Sequence, residues 1–484
     1  MIIIDGDFAS DTATINYQLG HQNTGGCRLH LKKNVDILGD PGAAIRSMAI
    51  PFLISLTVLQ LNIFSDTFWV SNLGVKALSG MTSASPIYLF IPSIGLGLST
   101  AIVTTIAYNI GKGDTDKAGR LAGNTIALAV ILPLICSGIM YLLMDTIIGI
   151  MGAEDISNEI HLYLIPFLLL SPFHVLNTAF GGMLRAEGAA NRSTMVQLSS
   201  VVLNMIIDPL FIYGLNLGLT GASLATMVSY MFGVAFSTSW YIRGKTQIHI
   251  CRQDLVPRKE TVMELLGVGG PRVAEGFINN GVVILQRIFI IAASGTVGMT
   301  LFNVPYRYIS LGMCPVEAVS MAAIPVIAAN HGKNDADRMR EAHRTIYRYS
   351  LMISVSLALV IIVFSPLLMS VFTLESSMSE WYDELLWNVC MYAIVLPLMA
   401  VQYVASSVLQ SLRKTRLPMR VSLIAGVFRI FAFWVACPYG YQGITYGLIV
   451  SYMLSATLML SISLRRFSRT CDSIESADAQ PAQA

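Results

Sequence analysis

Apolar residues in this chain fall in long blocks rather than in stripes. Stretches of about 20 residues or more recur at 44–72, 78–109, 120–146, 160–184, 195–214, 219–242, 263–293, 298–329, 343–373, 385–411, 419–437 and 441–464. Each is long enough to cross a hydrocarbon core of roughly 30 Å. Twelve such blocks joined by short polar turns predict an all-α protein that crosses a membrane twelve times.

Composition agrees. The 484 residues are 54% hydrophobic and only 12% charged, with a mean hydropathy of +0.63, whereas soluble domains carry roughly twice that charge fraction. The net charge of +2 says little, but its distribution says more. Of 31 Lys and Arg, Lys76 falls in a loop on one side, Arg287, Arg307 and Arg429 fall within blocks, and the remaining 27 share the other side. The basic segments Arg243–Lys259, Lys333–Arg348 and Arg413–Arg420 face acidic ones at Asp145–Glu159 and Glu375–Glu384 across the membrane. The positive-inside rule then places both termini in the cytoplasm, and the even number of crossings agrees.

The chain is a tandem repeat. At a shift of 221 positions, Ile106–Asp116 falls on Ile327–Asp337 with identity at seven of eleven positions, and Gly74 falls on Gly295. At 222, Gly221, Ser229 and Tyr230 fall on Gly443, Ser451 and Tyr452. Each half holds six blocks, so both enter from the same side. The expected architecture is two six-helix bundles related by a pseudo-two-fold axis along the membrane normal, with a cavity between them. The expected segments are a cytoplasmic tail at 1–39, an N-lobe at 40–245, a linker at 246–261, a C-lobe at 262–466 and a solvated tail at 467–484.

Against this apolar background a few polar residues stand out. Asp208 sits within Val201–Ile212, and a charge at bilayer depth costs several kcal/mol, so it marks a pathway for ions or substrate by default. Asn204 shares its helical face, and Pro209 releases the carbonyl of Met205 from its helical hydrogen bond. Asp66, and Thr226 at matching depth, extend the niche, while Pro51 provides a kink in the first helix. Two carboxylates in one apolar bundle cannot both ionise cheaply, so a proton or a small cation is the natural partner, and the amide, hydroxyl and carbonyl oxygens also suit Na⁺. The alternative is that Asp208 only holds two helices together by hydrogen bonding. Neither acid recurs in the second half: Asp66 maps to Arg287, and Asp208 maps near Ala432.

A second ionisable set comprises Glu275, Arg287, Arg307 and Glu317. Mutual charge pairing and a second proton or substrate contact both fit it. Arg429, half a span from the cytoplasm, has the reach to snorkel. The seven cysteines have no CxxC or metal-ligand spacing and read as structural thiols. No phosphate-binding loop, zinc-protease motif or nucleophile elbow occurs, which argues against ATP drive, cofactors, a structural metal and enzyme chemistry.

Leu184–Ala189, Leu203–Ile212, Gly218–Thr226 and Ser65–Gly74, with the Asn-x-Gly-x-x-Asp loops, resemble the signature of multidrug and toxic compound extrusion (MATE) transporters over about 40–466. The pattern is most similar to the branch related to DNA-damage-inducible protein F. The resemblance implies a twelve-helix antiporter of a bacterial inner membrane, a monomer without nucleic-acid partners, that expels small organic compounds as H⁺ or Na⁺ enters. In that branch the coupling site lies in the N-lobe, matched here by Asp66, Asn204, Asp208 and Thr226. The alternative within the wider superfamily is a flippase for a lipid or lipid-linked saccharide.

Overall fold

A computed structural model describes residues 35–151, 153–370 and 379–478. Most of the expected N-terminal tail, and part of the acidic loop at Glu375–Glu384, lie outside the described residues. The described chain is helical throughout. Its spans are α1 (Pro41–Ser71), α2 (Val75–Tyr88 and Phe90–Lys112), α3 (Thr115–Met151), α4 (Ser157–Leu169 and Ser171–Ala186), α5 (Ala190–Pro209), α6 (Gly218–Ile242), α7 (Lys259–Gly295), α8 (Val297–Gly332), α9 (Ala336–Ser370), α10 (Tyr382–Ser411), α11 (Arg416–Ala436) and α12 (Gly440–Asp478). Twelve spans thus occupy the twelve apolar blocks, in two bundles of six.

Left-handed residues mark the turns and repeat with the sequence. Gly295, between α7 and α8, has φ 63° and ψ −159°, and Gly440, before α12, has φ 67° and ψ −157°. Their counterparts in the first half, Gly74 and Gly218, also have positive φ. A side chain at such a conformation is strained, so glycine lets adjacent helices double back without a loop.

One block that reads as continuous is bent: α4 breaks by 52° at Leu170, just before Ser171-Pro172, whereas Leu89, between the two pieces of α2, keeps helical dihedrals of φ −62° and ψ −14°. Proline withdraws a backbone donor and disfavours the helical conformation of the residue before it.

The expected solvated tail at 467–484 is helical as far as Asp478. Phe467, Cys471 and Ile474 recur at helical spacing and bury against Met339 and Ala342 of α9, while Glu475 and Asp472 pair with Arg340. Arg272, counted on the basic side from sequence, lies well within α7. The six described cysteines are free thiols.

The lobes meet from their basic end inward, and the central contact obeys the repeat. A Cβ on Gly111 of α2 would overlap the carbonyl oxygen of Ala329 of α8, and a Cβ on Gly332 would overlap that of Tyr108. The 221-residue shift converts one contact into the other, as a two-fold axis between α2 and α8 requires. Small residues let membrane helices pack backbone to backbone. Around this crossing, Glu264 binds Lys117 of the N-lobe at 3.1 Å and Arg413 of the C-lobe at 2.5 Å, and the Arg413 guanidinium lies 5.4 Å from the Tyr108 ring. Further in, Phe90 meets Phe277 edge to face at 4.6 Å, and Arg307 lies over Phe64 of α1 at 5.4 Å. The linker is clamped to α3, where Asn124 donates to the Asp254 carbonyl at 2.7 Å and accepts from the Arg258 amide at 2.7 Å.

Gly111→Val forces these backbones apart. Spin labels at positions 112 and 333 then separate by about 2 Å or more, the difference between close-approach and ordinary helix packing, with Gly332→Val giving the same result.

Candidate functional site

Two helices of the N-lobe carry the same device. On α1, Asn62 donates from Nδ2 to Asp66 at 3.2 Å, and on α5, Asn204 donates from Nδ2 to Asp208 at 2.8 Å. In both, a spacing of four residues stacks amide and carboxyl one helical turn apart on one face. The two carboxyl groups lie close enough across the α1–α5 contact to interact with one another. Carboxylates only accept, so a hydrogen bond between them can form only while one of them carries a proton.

The pair is enclosed. Asp208 is 1% exposed and Asn204 2%, with Asn62 buried and Asp66 half-buried. Tyr88 of α2, Tyr163 of α4 and Tyr230 of α6 lie within electrostatic reach of Asp66, which places it inside the lobe rather than against lipid. The imidazole of His174 packs on the Tyr230 ring at 4.7 Å. With both acids ionised, Asn62 Oδ1, Asp66 Oδ1, Asn204 Oδ1 and Asp208 Oδ2 are buried acceptors without a donor among the described residues. Such groups are costly unless something positive satisfies them. A proton between the carboxyls satisfies two of them, and a small hard cation can engage carboxylate and amide oxygens together.

The remaining niche residues have definite places. Thr226 lies on α6 one turn before Tyr230 and donates to its own helix, at the Ala222 carbonyl, 3.1 Å away, which leaves its lone pairs free. Pro209 closes α5, and the chain continues as a wide π turn over Leu210–Gly214. Pro51 lies within α1. Asn62 and the three tyrosines escaped the sequence reading. For Asn62 the signal was present, since Asn-x-x-x-Asp occurs at both 62–66 and 204–208.

The second ionisable set is not a single cluster. Glu275 binds Arg272 at 3.0 Å and accepts from Ser422 at 3.3 Å, and Glu317 lies within electrostatic reach of Tyr403. Among the described residues neither acid forms an ion pair with Arg287 or Arg307. Arg287 is exposed, and Arg307 reaches the N-lobe at Phe64.

The Leu184–Ala189 motif serves the basic end. Glu187 is 1% exposed and accepts from the Tyr241 hydroxyl at 3.0 Å and from the Gln247 amide at 2.7 Å, tying the α4–α5 turn to the start of the linker. Burial pushes its carboxyl up to about 7, against the opposing pull of these hydrogen bonds and of Arg192.

The sequence model described as MatE matches residues 51–210 and 271–435. A FAD transporter of Shewanella oneidensis is 24% identical over 376 residues, 76% of this chain and 81% of that protein. The multidrug export protein MepA of Staphylococcus aureus is 23% identical over 431 residues, 88% of this chain and 94% of its own. A multidrug resistance MATE family transporter in an outward-facing conformation aligns with a TM-score of 0.85 at 25% identity, over 91% of this chain and 99% of its own.

The Glu187 carboxyl predicts a pH dependence with a definite sign. Its folded value of about 7 lies above the ordinary 4.5, so the folded state binds the proton more tightly. That stabilisation is fully present below about pH 4.5 and is lost as pH rises through 7, on the order of 3 kcal/mol in all. The thermal midpoint of the purified protein therefore falls between pH 5 and 8, and Glu187→Gln flattens the slope.

Proposed function

The chain belongs to the MatE family, and from that premise we propose that it is a secondary antiporter expelling organic compounds from the cytoplasm as a proton or Na⁺ enters. The carrying observation is the Asp66–Asp208 pair, a buried acidic site with acceptor oxygens in excess of donors. The closeness of the two carboxyl groups favours a shared proton, with Na⁺ as the competing occupant of the same oxygens. The multidrug export of MepA and the FAD transport of the Shewanella protein support an organic substrate.

The basic end is the cytoplasmic face, which puts both termini in the cytoplasm of a bacterial inner membrane. The protein acts as a monomer. In alternating access the inter-lobe contacts around Gly111, Gly332 and Glu264 close the cytoplasmic side and must separate when that side opens. The cation site reports to this interface through α1. Asp66 lies two residues from Phe64, which touches Arg307 of the C-lobe, and Pro51 allows the helix to bend between its ends. Neutralising the pair removes repulsion between α1 and α5, so the occupied site favours a tighter N-lobe than the empty one.

In proteoliposomes, Asp66→Asn and Asp208→Asn each reduce gradient-driven efflux to the level of protein-free vesicles while the elution profile stays that of the folded protein. Separately imposed proton and Na⁺ gradients identify the ion. Normal efflux by both variants contradicts the proposal, and indifference of the wild type to either gradient favours a flippase.

A further inference from the structure

Away from the basic end, the charges within the spans differ between the lobes. α1 and α5 carry Asp66 and Asp208, whereas α7, α8 and α11 carry Arg272, Arg287, Arg307 and Arg429 with Glu275 and Glu317; the half-buried Arg185 of the N-lobe lies in the last turn of α4, at the basic end. Arg272 is neutralised by Glu275 at 3.0 Å. Arg429 is not neutralised: among the described residues no carboxylate lies within 4.0 Å of it. Thirteen residues into α11, it turns toward the interior of its own lobe. Its Nε donates to Ser451 at 3.0 Å, and its guanidinium carbon lies 4.3 Å from the Tyr452 ring centroid on α12. Tyr306 of α8, the neighbour of Arg307, lies within electrostatic reach of both Tyr452 and Arg429. No described protein group engages the two Nη atoms of Arg429, and neither is among the sealed, unpartnered polar atoms, so both remain accessible.

An arginine held at this depth without a counter-charge is costly. Its planar pair of Nη donors matches the oxygens of a phosphate or carboxylate. The flanking phenols add hydroxyls for further hydrogen bonds and ring faces for an aromatic body. We propose that Arg429, Tyr452 and Tyr306 form an oxyanion subsite in the C-lobe, and that the compounds exported by this chain include aromatic organic anions bearing phosphate or carboxylate. This rests on the transport reading above and adds the charge class of its cargo. It also gives the lobes separate tasks, with acids of the N-lobe taking the cation and an arginine of the C-lobe taking the anion.

The test is equilibrium binding to the purified full-length protein in detergent, which needs no gradient. The probes are naphthyl phosphate, naphthoate, neutral naphthol and cationic ethidium. The wild type is expected to bind naphthyl phosphate, naphthoate or both about tenfold or more tighter than naphthol, as bidentate charged hydrogen bonds provide. Arg429→Gln is expected to erase that preference, and Arg429→Lys, which keeps charge but not the planar fork, to retain part of it. Preference for naphthol or ethidium in the wild type overturns the proposal, as does an undiminished oxyanion preference in Arg429→Gln. Should Arg429→Gln fail to fold, Tyr452→Leu takes its place, with a loss of at least severalfold expected for the aryl oxyanions and none overturning the subsite. Failure of this subsite shows in equilibrium binding without a gradient, and failure of cation coupling shows in gradient-driven efflux, so the two are separately visible.

Discussion

The structure depends on the close approach of two carboxyl groups, Asp66 on α1 and Asp208 on α5, in a lobe otherwise built from apolar helices. In water such a contact is repulsive and screened. Here desolvation makes double ionisation costly and a shared positive charge favourable. Each acid is held from its own helix by an asparagine one turn away, so each carboxyl keeps its direction whether or not its partner is charged. The donors present are too few for the acceptors present, and on the function proposed above that deficit makes the helix contact a site for a cation.

The scaffold around the pair is made by backbone features that repeat between halves. Glycines of positive φ let successive helices double back at Gly74, Gly218, Gly295 and Gly440. The Gly111–Ala329 and Gly332–Tyr108 contacts join the lobes where α2 and α8 cross. Duplicated architecture with unduplicated chemistry is the consequence: the frame is two-fold, while the acid pair belongs to one lobe and the free arginine to the other. A joint that is close-packed but relies on backbone contact and a few ion pairs can hold the lobes together and still separate.

Much of this was legible in the sequence, for identifiable reasons. Spans could be read because lipid demands long apolar blocks, and Asp66 and Asp208 stood out because the one other charged residue in their blocks, Arg46, lies at a block's edge. Asn62 was passed over although it precedes Asp66 by the same four residues that separate Asn204 from Asp208. Tyr88, Tyr163 and Tyr230 could not be singled out, since tyrosine is common in membrane helices and only the fold brings these three to one carboxylate. The setting of Arg429 was equally hidden, because Ser451, Tyr452 and Tyr306 come from two other helices. Composition misled at the C-terminus, where a Ser- and Asp-rich segment hides a buried stripe at Phe467, Cys471 and Ile474.

The direct measure of the central claim is the number of protons exchanged when an exported compound binds to the purified protein in weakly buffered, Na⁺-free solution. If the acid pair holds the proton that the compound displaces, the wild type releases about one per molecule, as a coupled pair sharing one proton should, and the protein with both acids replaced by asparagine releases none. Equal release by the two proteins would contradict the account.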